Sequence, residues 1–131
     1  VYFSIIPDKN YYLIGEDENY LSLDYEKLVT DITSKTDYMK YIGIFSELSI
    51  DSYYKTDSHW RQEKIVPVAE KIAGAMGVTL SSDYDEIAIG KDFDGVYKGQ
   101  YAGVNVGSDG ITVLTNDVIY DAEVFDYQNT T

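Results

Sequence analysis

The sequence contains no cysteine, two prolines and one histidine, and it has fewer than half as many basic as acidic residues, 10 Lys+Arg against 23 Asp+Glu in 131 positions. Without a thiol there is no disulfide framework, no cysteine-based zinc or iron–sulfur site and no thiol nucleophile. A single imidazole would leave a tetrahedral zinc site to be completed by carboxylates alone, so neither a metal nor another cofactor is expected. The formal charge of −13 repels phosphate backbones and anionic headgroups, which argues against nucleic acid and membrane surfaces as partners. No apolar run approaches the roughly 18 residues that a spanning helix needs. Residues 1–6 have neither the basic start nor the length of a signal peptide. They already form a strand-like run, so the chain is expected to be an excerpt of something longer.

What is present suffices for a core: 44% of residues are hydrophobic and 15% aromatic, which excludes an acidic disordered tail. The length fits one domain, residues 1–131. Val1-Tyr2-Phe3-Ser4-Ile5-Ile6 is rich in β-formers, is closed by Pro7-Asp8-Lys9-Asn10, and reads as a strand buried on both faces. Leu21, Tyr25, Leu28, Val29 and Ile32 follow helical steps, with Ser22 or Asp24 available as a cap. Residues 41–45 form a second strand. The order strand, helix, strand predicts a parallel βαβ unit.

A second helix is predicted from Ile65, Val68, Ala69, Ile72 and Met76, closed by Gly77. Pro67 means that the helix either starts near Glu63 or Lys64, with the proline in its first turn, or is kinked there, and the late start is preferred. Eight of the ten glycines lie beyond residue 70, among β-prone pieces at 86–89, 111–114 and 118–124. Residues 1–77 therefore read as an α/β part and 78–131 as a loop-rich part with β-hairpins. Gly107-Ser108-Asp109-Gly110 reads as a turn.

The chemistry centres on the only histidine, His59, two residues after Asp57. In an extended stretch these two side chains share a face, and a carboxylate beside an imidazole can fix its tautomer and stabilise its charged form. The bland reading is that a lone histidine before a helix caps it or packs against Trp60. The string Tyr53-Tyr54-Lys55-Thr56-Asp57-Ser58-His59-Trp60, followed by a helix, resembles the signature of the DHHW family. It is similar also to the Thr-Asp-x-His-Trp segment of alginate O-acetyltransferases, relatives within the SGNH hydrolase superfamily. Residues 1–10 resemble the strand and loop that these families place upstream. The segment 94–103 and Asn116-Asp117-Val118-Ile119 resemble their downstream region.

The resemblance implies a partial SGNH-like, flavodoxin-like layered α/β sheet. It implies a serine esterase or O-acetyltransferase chemistry on cell-envelope glycans or acylated small molecules, in an extracellular or envelope setting. In that scheme His59 is the general base and Asp57 its orienter, and a serine on a Gly-Asp-Ser-like turn is the nucleophile. Ser58 stands where the DHHW string has its first histidine, Arg61 replaces a usual Thr and Lys64 a usual Gly. No Gly-Asp-Ser occurs in the 131 residues, so the chain is expected to contribute the Asp-x-His pair and to be inactive alone.

Other features carry less. Tyr53, Tyr54 and Tyr97 are candidate sugar-stacking rings, although tyrosine is also a good strand residue. Trp60 is expected to pack at the helix mouth. Lys9 and Arg61 are the cations nearest the matched segments in sequence; either could hold a substrate carboxylate or acetyl oxygen, and the bland reading for both is a solvated surface charge. Asp83-Tyr84-Asp85-Glu86 and Asp92-Phe93-Asp94-Gly95 are too short for a calcium loop. If the sheet is incomplete, its bare edge favours self-association. The competing reading is a non-catalytic extracellular binding or envelope-structural protein.

Overall fold

The computed structural model describes residues 1–13, 21–80, 83–100, 106–125 and 127. It shows a mixed α/β fold with two small sheets. Strands β1 (Tyr2–Phe3) and β2 (Lys40–Tyr41) pair in parallel, with Tyr2 opposite Lys40 and Phe3 opposite Tyr41. Between them lie the short helix α1 (Asn10–Leu13) and the longer α2 (Tyr25–Lys35). Of the two expected caps the chain uses Asp24, whose carboxylate accepts from the Lys27 N–H at 2.8 Å.

Both strands are shorter than the sequence predicts. Beyond Phe3 the Ser4 hydroxyl takes the Ile42 carbonyl at 2.8 Å, filling the place of a ladder donor, and β1 ends. Ile42 still gives its N–H to the Phe3 carbonyl at 2.8 Å, after which the chain leaves the ladder and tightens into a 3-10 turn at Phe45–Glu47. Nor is β1 buried on both faces: Val1 and Tyr2 are exposed, and among the described residues β1 pairs only with β2. The apolar run that follows β2 nevertheless supplies the core, where Ile42, Ile44 and Leu48 meet Val68, flanked by Tyr12, Trp60, Ile72 and Ala75.

Helix α3 (Val66–Ala75) follows a 3-10 turn at Gln62–Lys64. The start is thus slightly later than the sequence suggests: residues 62–64 are taken by the 3-10 turn, and Pro67, which has no N–H to give, stands at the beginning of the helix proper. Gly77 closes the helix at φ +78°, with the Val78 N–H on the Ala73 carbonyl and the Gly77 N–H on that of Gly74.

The remainder is an antiparallel pair, β3 (Asp85–Phe93) with β4 (Asp109–Thr115), joined by a segment containing α4 (Val96–Gln100). Register shifts at Ala88/Gly90 and Gly90/Phe93 bend the ladder. Gln62 accepts from the Leu114 N–H at 2.9 Å and ties β4 to the 3-10 turn that precedes α3. Two expectations are corrected here. Residues 118–124 do not form a strand: Asn116 accepts from the Ile119 N–H at 2.9 Å and starts helix α5 (Asp117–Tyr120). Asp109 and Gly110 are not a free turn but the first residues of β4.

Candidate functional site

The chain from Tyr53 to Trp60 is a loop closed on itself. Tyr53 and Trp60 form an isolated antiparallel bridge, the Tyr54 N–H reaches the His59 carbonyl at 3.1 Å, and the Arg61 N–H reaches that of Ser52 at 2.8 Å. Asp57 and His59 come together, but not by the extended geometry that their spacing suggests. The backbone between them turns, and Asp57 Oδ1 accepts from the His59 N–H at 2.9 Å while also holding His59 Nδ1. The other carboxylate oxygen accepts from the Val96 N–H at 3.0 Å.

The two partners differ sharply in exposure: the Asp57 side chain is 5% exposed and that of His59 81%. Burial alone would raise the Asp57 pKa. It is outweighed by the His59 N–H, the His59 ring and the Val96 N–H, which together hold the carboxyl at about 2. An ionised Asp57 accepts the Nδ1–H and leaves Nε2 as the unprotonated nitrogen of a neutral imidazole.

Beneath this pair lies a hydrogen-bonded base. Thr56 is wholly buried. Its hydroxyl donates to Asp109 Oδ2 at 2.6 Å and accepts from the Gly95 N–H at 2.9 Å, and its carbonyl accepts from the Tyr97 N–H at 3.0 Å. Asp109 also accepts from the Lys55 and Thr56 N–H groups at 2.9 and 2.7 Å. Gly95 has a reason to be glycine: a Cβ there would collide with the Thr56 carbonyl and the Asp57 side chain.

Lys9 is not a solvated surface cation. Its ammonium donates to the carbonyls of Tyr54 at 2.7 Å and Lys55 at 3.1 Å, with that of Asp57 at 3.5 Å, and it lies 5.4 Å from the centre of the Tyr97 ring. Desolvation pushes its pKa below the usual lysine range, against the pull of Asp109 and Asp57. Arg61 pairs with Glu63 at 2.7 Å.

A cavity of about 910 Å³ opens beside the imidazole, with apolar walls from Ile6, Pro7, Leu13, Trp60 and Val106. Of the three candidate tyrosines, Tyr97 borders it with its half-buried ring. Tyr53 borders it too but is only 4% exposed, its hydroxyl donating to the Pro7 carbonyl at 2.7 Å. Tyr54 is buried against Phe93 and does not line the cavity, so its contribution is the carbonyl given to Lys9. Trp60 packs on Tyr53 and the core and also lines the cavity. Asp94 is taken by Lys98 and Ser108 at 2.7 and 2.6 Å. Among the described residues no three metal-ligating side chains converge.

Sequence reasoning missed Lys9 as a tether, Gly95 as a close approach, and Asp109 altogether. Gly95 lies in the downstream segment whose resemblance was noted, of which residues 101–103 fall outside the described residues. No local signal marks Asp109, whose partners stand 53 and 54 positions away.

No family model and no curated protein matches the sequence. Among solved structures, the chain is similar to that titled "Structure of Bacillus cereus PatB1", with a TM-score of 0.68 and 18% identity over 92% of this chain and 46% of that one. At that identity the likeness is one of fold, and this chain spans less than half the length of the solved chain it matches.

Proposed function

We propose that the chain carries the histidine–aspartate half of a serine-dependent acyl-transfer site of the SGNH type. It would act as an esterase or O-acetyltransferase on cell-envelope glycans outside the cell. The observation that carries this reading is the asymmetry of the pair. A buried, ionised Asp57 grips Nδ1 of an imidazole that is otherwise exposed beside a cavity. That is the arrangement a general base requires.

In the proposed step a serine hydroxyl passes its proton to His59 Nε2 as its oxygen bonds to the acyl carbon. The leaving alkoxide departs with the proton from Nε2, and Asp57 stabilises the imidazolium between the two transfers. The apolar walls with Trp60 and Tyr97 suit an uncharged acyl group or the face of a sugar ring.

The nucleophile is the missing part, and the test addresses it. A serine-reactive fluorophosphonate is applied to this chain and to any longer protein that contains it, each alongside a His59→Ala variant, and the labelled peptide is read by mass spectrometry. The expected outcome is one labelled serine outside residues 1–131, lost on His59→Ala, with this chain unlabelled. Label on a serine of this chain would place the nucleophile within it. Absence of label from folded protein in both cases would favour a binding module instead. Among the described residues the β1–β2 sheet has no further strand, and its open edges are also expected to promote self-association; a monodisperse monomer in light scattering would reject that.

A further inference from the structure

We infer that Asp109 and Lys9 are the positioning residues of this site, a carboxylate and an ammonium that clamp two consecutive peptide units and thereby aim the loop carrying Asp57 and His59. The inference rests on reading that pair as the orienting half of an acyl-transfer site.

The geometry is specific. The peptide unit joining Tyr54 to Lys55 gives its carbonyl to Lys9 at 2.7 Å and its N–H to Asp109 at 2.9 Å. The next unit, joining Lys55 to Thr56, does the same, with its carbonyl on Lys9 at 3.1 Å and its N–H on Asp109 at 2.7 Å. In a trans peptide these two groups point in opposite directions, so an anion on one side and a cation on the other fix the rotation of each plane. Both planes are held by charges, and hydrogen bonds to charged groups are the stronger kind.

The clamp ends where the site begins. Thr56 immediately precedes Asp57, and its hydroxyl joins Asp109 to the Gly95 N–H. The neighbouring Val96 N–H holds Asp57 Oδ2. Asp109 therefore acts on Asp57 from two directions, through the loop backbone and through the Gly95–Val96 wall. Among the described residues the hydrogen bonds of both clamp residues go to the loop and not to the imidazole, so both act on it through Asp57.

Because the chain has one histidine, its imidazole can be read without ambiguity by ¹⁵N-edited NMR of the 131-residue chain. At about pH 8, where an ordinary histidine is neutral, the wild-type ring is expected in the Nδ1–H tautomer. In Asp109→Ala and in Lys9→Met the ratio of the Nδ1–H to the Nε2–H form should fall by about fivefold, the worth of roughly one net hydrogen bond. Asp109→Asn, which keeps one acceptor, should fall between. Dispersed methyl resonances of Ile42 and Ile44 report that each variant is folded. If Asp109→Ala fails to fold, Lys9→Met and Asp109→Asn carry the test. Folded variants with an unchanged tautomer ratio would make the clamp merely structural and overturn the inference. A wild-type ring already in the Nε2–H form, or one indifferent to Asp57→Asn, would instead strike at the reading of the pair itself.

Discussion

The loop from Tyr53 to Trp60 and the hairpin of β3 and β4 invert the usual relation between regular structure and order. The loop has irregular backbone, yet Tyr53, Tyr54, Thr56 and Asp57 are all less than a tenth exposed. Among the described residues the hairpin has the longest strands, yet β3 contains no buried residue, and β4 buries only Leu114 and Thr115 where it meets the 3-10 turn before α3. The difference lies in where the polar groups go. In the hairpin they satisfy one another across the ladder, which leaves the side chains little to pack against. In the loop they reach Lys9, Gly95, Val96 and Asp109, and drawing these distant parts together excludes solvent.

Two glycines sharpen that contrast most. At Gly95 a methyl group would overlap the Thr56 carbonyl and the Asp57 side chain, whereas at Gly90, in the bulged part of β3, nothing lies within 4 Å and φ is not in the left-handed region. Gly95→Ala is expected to cost about 2–3 kcal/mol in urea unfolding, since backbone as well as side chain must shift. Gly90→Ala should stay within about 0.5 kcal/mol of wild type. Equal costs would mean that the loop is no more tightly fitted than the hairpin.

Charge separates the two regions next. The folded chain keeps Asp57 ionised down to about pH 2, below the ordinary value of 3.8, so the unfolded chain takes up the proton first as the medium is acidified. The stability that Asp57 contributes is therefore full at neutral pH and falls away between about pH 4 and pH 2, a shift worth about 2 kcal/mol. Asp57→Asn should lower stability at pH 7 by about that amount and lose most of its effect near pH 2. Asp94, on the exposed turn after β3, also has its pKa lowered, chiefly by Lys98 and Ser108. Solvent screens that pair, and Asp94→Asn should leave the unfolding midpoint unchanged at both pH values. Parallel acid profiles for the two variants would break the comparison.

Legibility in the sequence follows the same division. Helices α2 and α3 are visible because their apolar steps, the Asp24 cap, Pro67 and Gly77 are local signals read within one turn. The Asp57–His59 pairing is legible too, though by the wrong geometry, since a turn gripped by the carboxylate brings together what an extended strand would also have placed on one face. Burial of Tyr53 and Tyr54 could not be read, because tyrosine is equally at home on a strand, in a core or on a sugar. Asp109 was invisible for a stronger reason. Its Gly-Ser-Asp-Gly setting satisfies every local rule for a turn, and only a ladder with bulges brings it under Thr56.

The smallest expected effect lies at the hairpin's exit, where β propensity and capping compete. Val118 and Ile119 favour a strand, yet the Asn116 carboxamide takes the Ile119 N–H and the chain turns into the four residues of α5. Every residue of that helix is exposed, so packing contributes little and the cap is the main local determinant. Asn116→Ala should thus cost only about 0.5 kcal/mol globally, the low end of the range for caps. Its effect should be concentrated in faster amide exchange at Ile119 and Tyr120, while Thr56 and Asp57 keep their protection. If exchange in the loop rises together with that in α5, the two regions unfold as one cooperative unit, and the loop's order depends on the hairpin as a whole rather than on Asp109 alone.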